Sequence, residues 1–221
     1  MDIAIIIPAF NEESTVGNVV RAALASQPDE VVVVDDGSTD GTADAARAAG
    51  ARVLTLPHNA GKGAALMAGL HATRGDIVVF LDADLIGLTP QHVRSLVRPV
   101  TTAEATAAVG LFTHGRAATT LASWMTRHWS GQRACWRATL VELDAADLRY
   151  AVELAITDAW RKRRARVKYV PLAGVTHRMK EEKLGRHAGM RARLGMFGQL
   201  VAYRLRRNRS SPGRPPRGPA T

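Results

Sequence analysis

A single cysteine, Cys135, stands among 221 residues, so no disulfide can form within the chain. That fits a reducing compartment. No apolar run approaches the roughly 18 residues that a membrane-spanning helix needs. The N-terminal stretch MDIAIIIPAF has an acidic second residue and enters a strand pattern at once, so no secretory signal is expected. A cytoplasmic chain is the expectation. Aromatic residues make up only 5% of the sequence, and no aromatic platform interleaves with the C-terminal arginines, so nucleic acid is not an expected partner. No GxGxxG follows the first apolar run, which weakens a dinucleotide-dependent oxidoreductase. The Gly-rich GxGxRxxP-like loop typical of nucleotidyl transfer is missing there too. No internal repeat is visible.

What is present is an ordinary globular composition, 46% apolar and 23% charged, in a length that suits one domain with a substantial core. The net charge of +10 hides a division. Residues 1–160 hold 12 Lys/Arg against 18 Asp/Glu, a balance of −6, while residues 161–221 hold 18 against two, a balance of +16. This asymmetry suggests an anionic partner for the C-terminal part, or a solvated basic tail.

The first half alternates strand and helix signals. IAIIIPAF reads as a buried strand, Glu13 to Leu24 as a helix with Val16, Val19, Val20, Ala23 and Leu24 on one face, and VVVV as a second strand. A short helix with Thr42 near its cap, the strand ARVLTL, the helix GKGAALMAGLHA and the strand DIVVFL follow. Strands this apolar are covered on both faces, and their spacing implies right-handed crossovers in a doubly wound α/β sheet. Further on, the patterns predict a helix in QHVRSLVRPV, a strand in AAVGLF, helices in TTLASWMTRHW and YAVELAITDAWRKRR, and a last strand in RVKYVPL. From Gly185 to Arg207, Met190, Leu194, Phe197, Val201 and Leu205 recur at helical spacing among arginines. We expect one domain over 1–207, with a first half at 1–115, a second at 116–207 and a disordered basic tail at 208–221.

Ligands of such sheets bind outside the carboxyl ends of the strands. Here those ends read PAFNEE, DDGSTD and DADL, all polar or acidic. Carboxylates gathered on one rim repel unless a cation joins them. Asp82-Ala83-Asp84 suits Mn²⁺ or Mg²⁺, ions commonly shared with substrate phosphates, and a nucleoside diphosphate is the ordinary bearer of those. An isolated D-x-D is otherwise a turn or a cap. Lys62, between Gly61 and Gly63, can neutralise phosphate while the glycines permit close backbone approach; a solvated lysine near a helix start is the alternative.

PAFNEE, VVVVDDGSTDGT, NAGKGAALMAGL and GDIVVFLDADL, in this order, resemble family 2-type glycosyltransferases of the GT-A fold. The resemblance implies that Pro8, Ala9, Phe10, Asn11, Glu12 and Asp36 hold the base and ribose of a nucleotide sugar. It also implies that Gly61, Lys62, Asp82, Ala83 and Asp84 meet ribose, metal and diphosphate. In the second half THGRAATTLASW, SGQRACWR, YAVELAITDAW and GVTHR resemble the subgroup containing glucosyl-3-phosphoglycerate synthase, whose members are retaining enzymes. That likeness makes Asp84 and His177 metal ligands, Arg116, Gly131, Gln132 and Arg133 acceptor-binding residues, and Glu153 a polar group near the reacting sugar. His177 and Glu153 read equally as an ordinary histidine and a helix-surface carboxylate. The Glu-Asp pair of inverting enzymes is not evident, and neither are the Trp-rich signatures of processive synthases.

The expected function is therefore metal-dependent transfer of a hexose from a nucleotide-diphosphate sugar, with UDP favoured, to an acceptor that the sequence does not name. Asp84, Glu153 and Lys62 are the expected catalytic residues. A polyprenyl phosphate at the membrane is the alternative acceptor, since the basic amphipathic end can meet an anionic surface peripherally. Nucleotidyl transfer and a non-catalytic nucleotide-sugar binder are the rivals from other classes. A second copy of the chain as partner stays open.

Overall fold

Ile5, Ile6 and Ile7 are all fully buried in the computed structural model, though their side chains alternate between two faces of the first strand. Both faces must therefore be covered, which is what parallel sheets of α/β proteins require. The structure describes residues 1–113, 130–141, 143, 148 and 151–178. In chain order the elements are β1 (Ile3–Ala9), α1 (Glu13–Leu24), β2 (Glu30–Asp35), α2 (Thr42–Ala48), β3 (Arg52–Thr55), α3 (Lys62–Ala72), β4 (Ile77–Phe80), β5 (Leu85–Ile86), α4 (Pro90–Thr101), β6 (Ala107–Thr113), β7 (Arg133–Trp136), α5 (Val152–Lys162), β8 (Val167–Ala173) and β9 (Thr176–His177). A 3₁₀ turn, Arg137–Leu140, follows β7.

Seven strands form one sheet in the order β3-β2-β1-β4-β7-β6-β8. All run parallel except β7, which lies antiparallel between β4 and β6. The order reverses between β1 and β4, the place where a crevice opens at the carboxyl rim. One face packs Ile5, Ile7, Val31, Val33, Ile77 and Val79 against Val16, Val19 and Val20 of α1 and Val93, Leu96 and Val97 of α4. Burying each such side chain contributes about 1.5–3 kcal/mol. On the other face α3 approaches so closely that a Cβ on Gly69 would stand 2.4 Å from Ile6 Cγ2. Thr89 and Pro90 start α4 as a cap and a first-turn proline, with His92 completing a capping box.

The sheet agrees with the predicted doubly wound α/β class, and β1 to β4 with the helices between them fall where the apolar runs place them. Thr42 stands next to the cap of α2, Gly41, as its first residue, and its hydroxyl bonds Asp40 and accepts from Glu12 N. The strand β7 is absent from the sequence reading, which puts a loop there. Its Cys135 is fully buried, and burial pushes the thiol up to about 11, so it stays protonated. The helices expected over 119–129 and 185–207, Arg116 and the tail 208–221 lie outside the described residues. No helix among the described residues is long and apolar enough to cross a membrane.

Candidate active site

The end of β4 carries the chain into the rim as Leu81, Asp82, Ala83 and Asp84, and Ala83 is buried while the carboxylates flank it. Immediately afterwards β5 pairs with β9 in a two-stranded ribbon whose register sets Leu85 opposite His177. That ribbon brings residues 93 positions apart together: His177 Nδ1 lies 2.9 Å from Asp84 Oδ1. The ribbon closes through Gly87 and Gly174, both at positive φ, and a Cβ on Gly87 would come within 2.6 Å of Gly174 O. The next residue, Arg178, donates its backbone N–H to Asp84 O and bonds Ser14 of α1 through its guanidinium.

Asp82 joins the Asp84–His177 pair to Lys62 and Gln132. Its Oδ1 accepts from Lys62 Nζ at 2.6 Å and its Oδ2 from Gln132 Nε2 at 2.8 Å. Lys62 Nζ also meets Glu153 Oε1 at 2.5 Å, from the first turn of α5. Burial opposes the lysine's charge, but the two carboxylates outweigh it and hold its pKa above the ordinary lysine value. Burial likewise opposes charge on Asp82, yet Lys62, His177 and the two hydrogen bonds bring its carboxyl down to about 2. Lys62 therefore sits as a fixed cation between two fixed anions, and this buried contact excludes the alternative of a solvated lysine. For His177, burial again acts first and downward, but the Asp84 hydrogen bond and both Asp fields outweigh it and raise its pKa.

Gly131, Gln132 and Arg133, expected at the acceptor, lie against Asp82 and the interior of the sheet. A Cβ on Gly131 would lie 2.3 Å from Asp82 Oδ2, so glycine is required for the close approach. Gln132, fully buried, gives its amide to Asp82 and receives Ser130 Oγ at 3.0 Å on its carbonyl oxygen. Arg133 is 1% exposed on β7. Its Nε donates to Ser130 O at 2.7 Å and its NH1 to Thr157 Oγ1 at 2.9 Å, and the guanidinium lies 5.2 Å from the Trp160 ring. Burial pushes it down to about 10, opposed by Glu153, so it remains a cation at neutral pH. Glu153 is buried too, which sets aside the helix-surface reading.

Around the other strand ends, Asn11 adopts a left-handed conformation (φ 55°) and ties β1 to the loop after β2, accepting from Thr39 N and donating its own N–H to Ser38. Pro8, Ala9 and Glu12 flank it, and Phe10 is 41% exposed at the rim. Asp36 is buried, and each of its oxygens accepts one backbone N–H, from Ala60 and Gly61, both at 2.8 Å. The structure thus brings Lys62, Asp82, Asp84, Gly131, Gln132, Glu153 and His177 into one cluster, with Asp36 and Gly61 behind it. Sequence reasoning missed Ser130, Thr157 and Arg178. Ser130 stands beside Gly131 in SGQR, but nothing local marks its partners.

Asp82, Asp84 and His177 offer ligand atoms that all lie within 4.8 Å of one another. Two carboxylates and an imidazole fit a divalent cation that accepts oxygen and nitrogen donors, Mn²⁺ or Mg²⁺. A doubly wound sheet with an Asp-x-Asp and a histidine gathered at its carboxyl rim is the architecture of GT-A glycosyltransferases. The family model described as "Glycosyl transferase family 2" matches residues 4–179, and the chain belongs to that family.

Among curated proteins it is similar to glucosyl-3-phosphoglycerate synthase of Mycolicibacterium paratuberculosis, 44% identical over 112 residues, 46% of this chain and 34% of that one. It is also similar to dodecaprenyl-phosphate galacturonate synthase of Rhizobium johnstonii, 36% identical over 108 residues, 44% of this chain and 32% of that one. The chain thus spans about a third of the length of these curated relatives in the matched region. A solved structure of glucosyl-3-phosphoglycerate synthase from Mycobacterium tuberculosis, in complex with Mn²⁺, uridine diphosphate and phosphoglyceric acid, matches with a TM-score of 0.76 at 32% identity. That match covers 96% of this chain and 80% of the other.

Proposed function

We propose that the chain transfers a hexose from a UDP-sugar to a hydroxyl of a small phosphorylated acid, with retention at the anomeric carbon. The observation that carries this reading is the pairing of Asp84 with His177 beside a lysine locked between two carboxylates, on a family 2 fold. The relative solved with Mn²⁺, UDP and phosphoglyceric acid supports the donor, the cation and the acceptor class. Asp84 and His177 would hold the cation, which when bound supplies positive charge against the diphosphate oxygens.

The chain's own residues do the rest. Lys62 presents a permanent cation on the opposite side of the leaving diphosphate, where electrostatic stabilisation is usually the largest contribution available. Asp82 and Glu153 fix the ammonium so that no reorganisation is needed when charge develops. Glu153 also offers its carboxylate to a sugar hydroxyl. Pro8 to Glu12 wall the base and ribose, with Asp36 behind them, and Gly61 lets the backbone approach phosphate.

A polyprenyl-phosphate acceptor is the second reading, favoured by the similarity to dodecaprenyl-phosphate galacturonate synthase. Incubation of the chain with a panel of nucleotide sugars and Mn²⁺, scored for release of nucleoside diphosphate, tests the donor. Addition of 3-phosphoglycerate or of a polyprenyl phosphate then separates the acceptors. UDP release from one sugar, accelerated by 3-phosphoglycerate and lost in Asp84→Ala, is the expected result. Release from no nucleotide sugar, with either acceptor present, refutes the reading.

A further inference from the structure

Asp36 directly follows β2, with its carboxylate buried and both oxygens engaged by the peptide N–H groups of Ala60 and Gly61. The glycine after it reinforces the grip. At Gly37 (φ +69°) a Cβ would stand 2.7 Å from the His58 carbonyl carbon and 2.9 Å from Asn59 N, so the tip of β2 and the 58–61 segment pack backbone against backbone. Gly61 caps α3 at a φ of 98°, and Lys62 is the first residue of that helix. The two amides held by Asp36 are therefore those immediately preceding the lysine. From there the side chain spans to Asp82 at the end of β4 and to Glu153 on α5.

We propose that Asp36 is a positioning residue for Lys62: by clamping the Ala60 and Gly61 amides it sets the α3 N-terminus, and with it the ammonium, at the diphosphate side of the site. The proposal rests on the donor reading above. Resemblance assigns Asp36 to the nucleobase, whereas its oxygens face the loop that delivers the lysine. A carboxylate accepting two peptide N–H groups makes charge-assisted bonds, roughly twice as strong as neutral ones. The clamp therefore holds the loop more firmly than packing alone. Asp36→Asn keeps the shape but turns one acceptor into a donor facing an N–H.

The test is calorimetric titration of the full chain with UDP, CDP and uridine in the presence of Mn²⁺, for wild type, Asp36→Asn, Lys62→Met and the double variant. The expected outcome is that Asp36→Asn weakens UDP and CDP by the same factor, about tenfold, or about 1.4 kcal/mol, and leaves uridine unchanged. In the Lys62→Met background the same substitution should have almost no further effect on UDP, because its route of action is gone. Equal tenfold losses in both backgrounds overturn the proposal. So does a loss shared by UDP and uridine but absent with CDP, which would make Asp36 a base contact. If Asp36→Asn does not fold, Gly61→Ala strains the same loop from the other side and should give the same pattern; a loss of uridine affinity there also overturns the proposal. Wild type that binds no nucleoside diphosphate refutes the donor reading itself, a pattern distinct from either.

Discussion

Replacing Lys62 with methionine should cost stability in a pH-dependent way. The lysine side chain is 23% exposed and lies 2.6 Å from Asp82 and 2.5 Å from Glu153, whose side chains are 16% and 11% exposed. Removing it leaves two carboxylates facing each other with little water between them. Breaking a largely buried pair in this way costs about 3–5 kcal/mol, and the partial exposure here puts the expectation near about 3.

The pH dependence follows from Asp82. A carboxyl held at about 2 instead of its ordinary 3.8 contributes on the order of 2 kcal/mol at neutral pH. Its folded-state value is depressed, so this stability is present above about pH 4 and is lost as pH falls toward 2, with about half gone by pH 3. In Lys62→Met the carboxyl is no longer held down, and the variant loses less on acidification. Urea unfolding followed by far-UV circular dichroism should show the midpoint lowered by about 1–1.5 M at pH 7 and by about half as much at pH 3. A midpoint difference that is the same at both pH values, or absent at pH 7, refutes the description of Lys62 as the charge that holds Asp82.

Gly131→Ala puts a Cβ against Asp82 Oδ2 and must displace the carboxylate; turnover should fall by about 100-fold while the thermal midpoint drops only slightly, as kcat measurement and calorimetry will show. Arg133→Lys keeps the charge but cannot reach both Ser130 O and Thr157 Oγ1 or stack equally on Trp160. It should destabilise the protein by about 1–2 kcal/mol in urea and lower kcat more than donor affinity, because the Ser130–Gln132 turn loosens around Asp82.

The part of the fold that was legible is the part whose physics is local. Each of β1, β2 and β4 is built on a short apolar run, and full burial of a parallel strand leaves that mark in sequence. Strand β7 does not follow the rule. It is four residues long, begins with an arginine, and earns its place by pairing with Val78, Val79 and Phe80 on one side and Ala108 and Val109 on the other. Its run RACW opens on a charge, so it lacks the wholly apolar signal that marks β4. The site divides in the same way. Asp82 and Asp84 were readable because a strand ended in them. The contact of Gln132 and Gly131 with Asp82 was not readable, because that partner is about fifty positions away and a glutamine or glycine carries no sign of what it touches. His177 could be reached only through resemblance, since the ribbon that places it has two residues per strand. Asp36 was noticed for its charge, but its hydrogen-bonding partners are set by how the 58–61 segment folds back.

The single reversed strand has a consequence for how such a chain can change. Because β6 runs outward and β7 runs back, the connection between Thr113 and Ser130 departs from and returns to the same rim, the one that carries Asp82, Asp84 and Lys62. Every other strand of the sheet is entered from the far edge. Residues can thus be added to or exchanged within that one connection without disturbing any crossover helix, the sheet register or the donor-side cluster. The antiparallel strand works as a return lead: it gives the sheet one connection whose length can change while every crossover keeps its place.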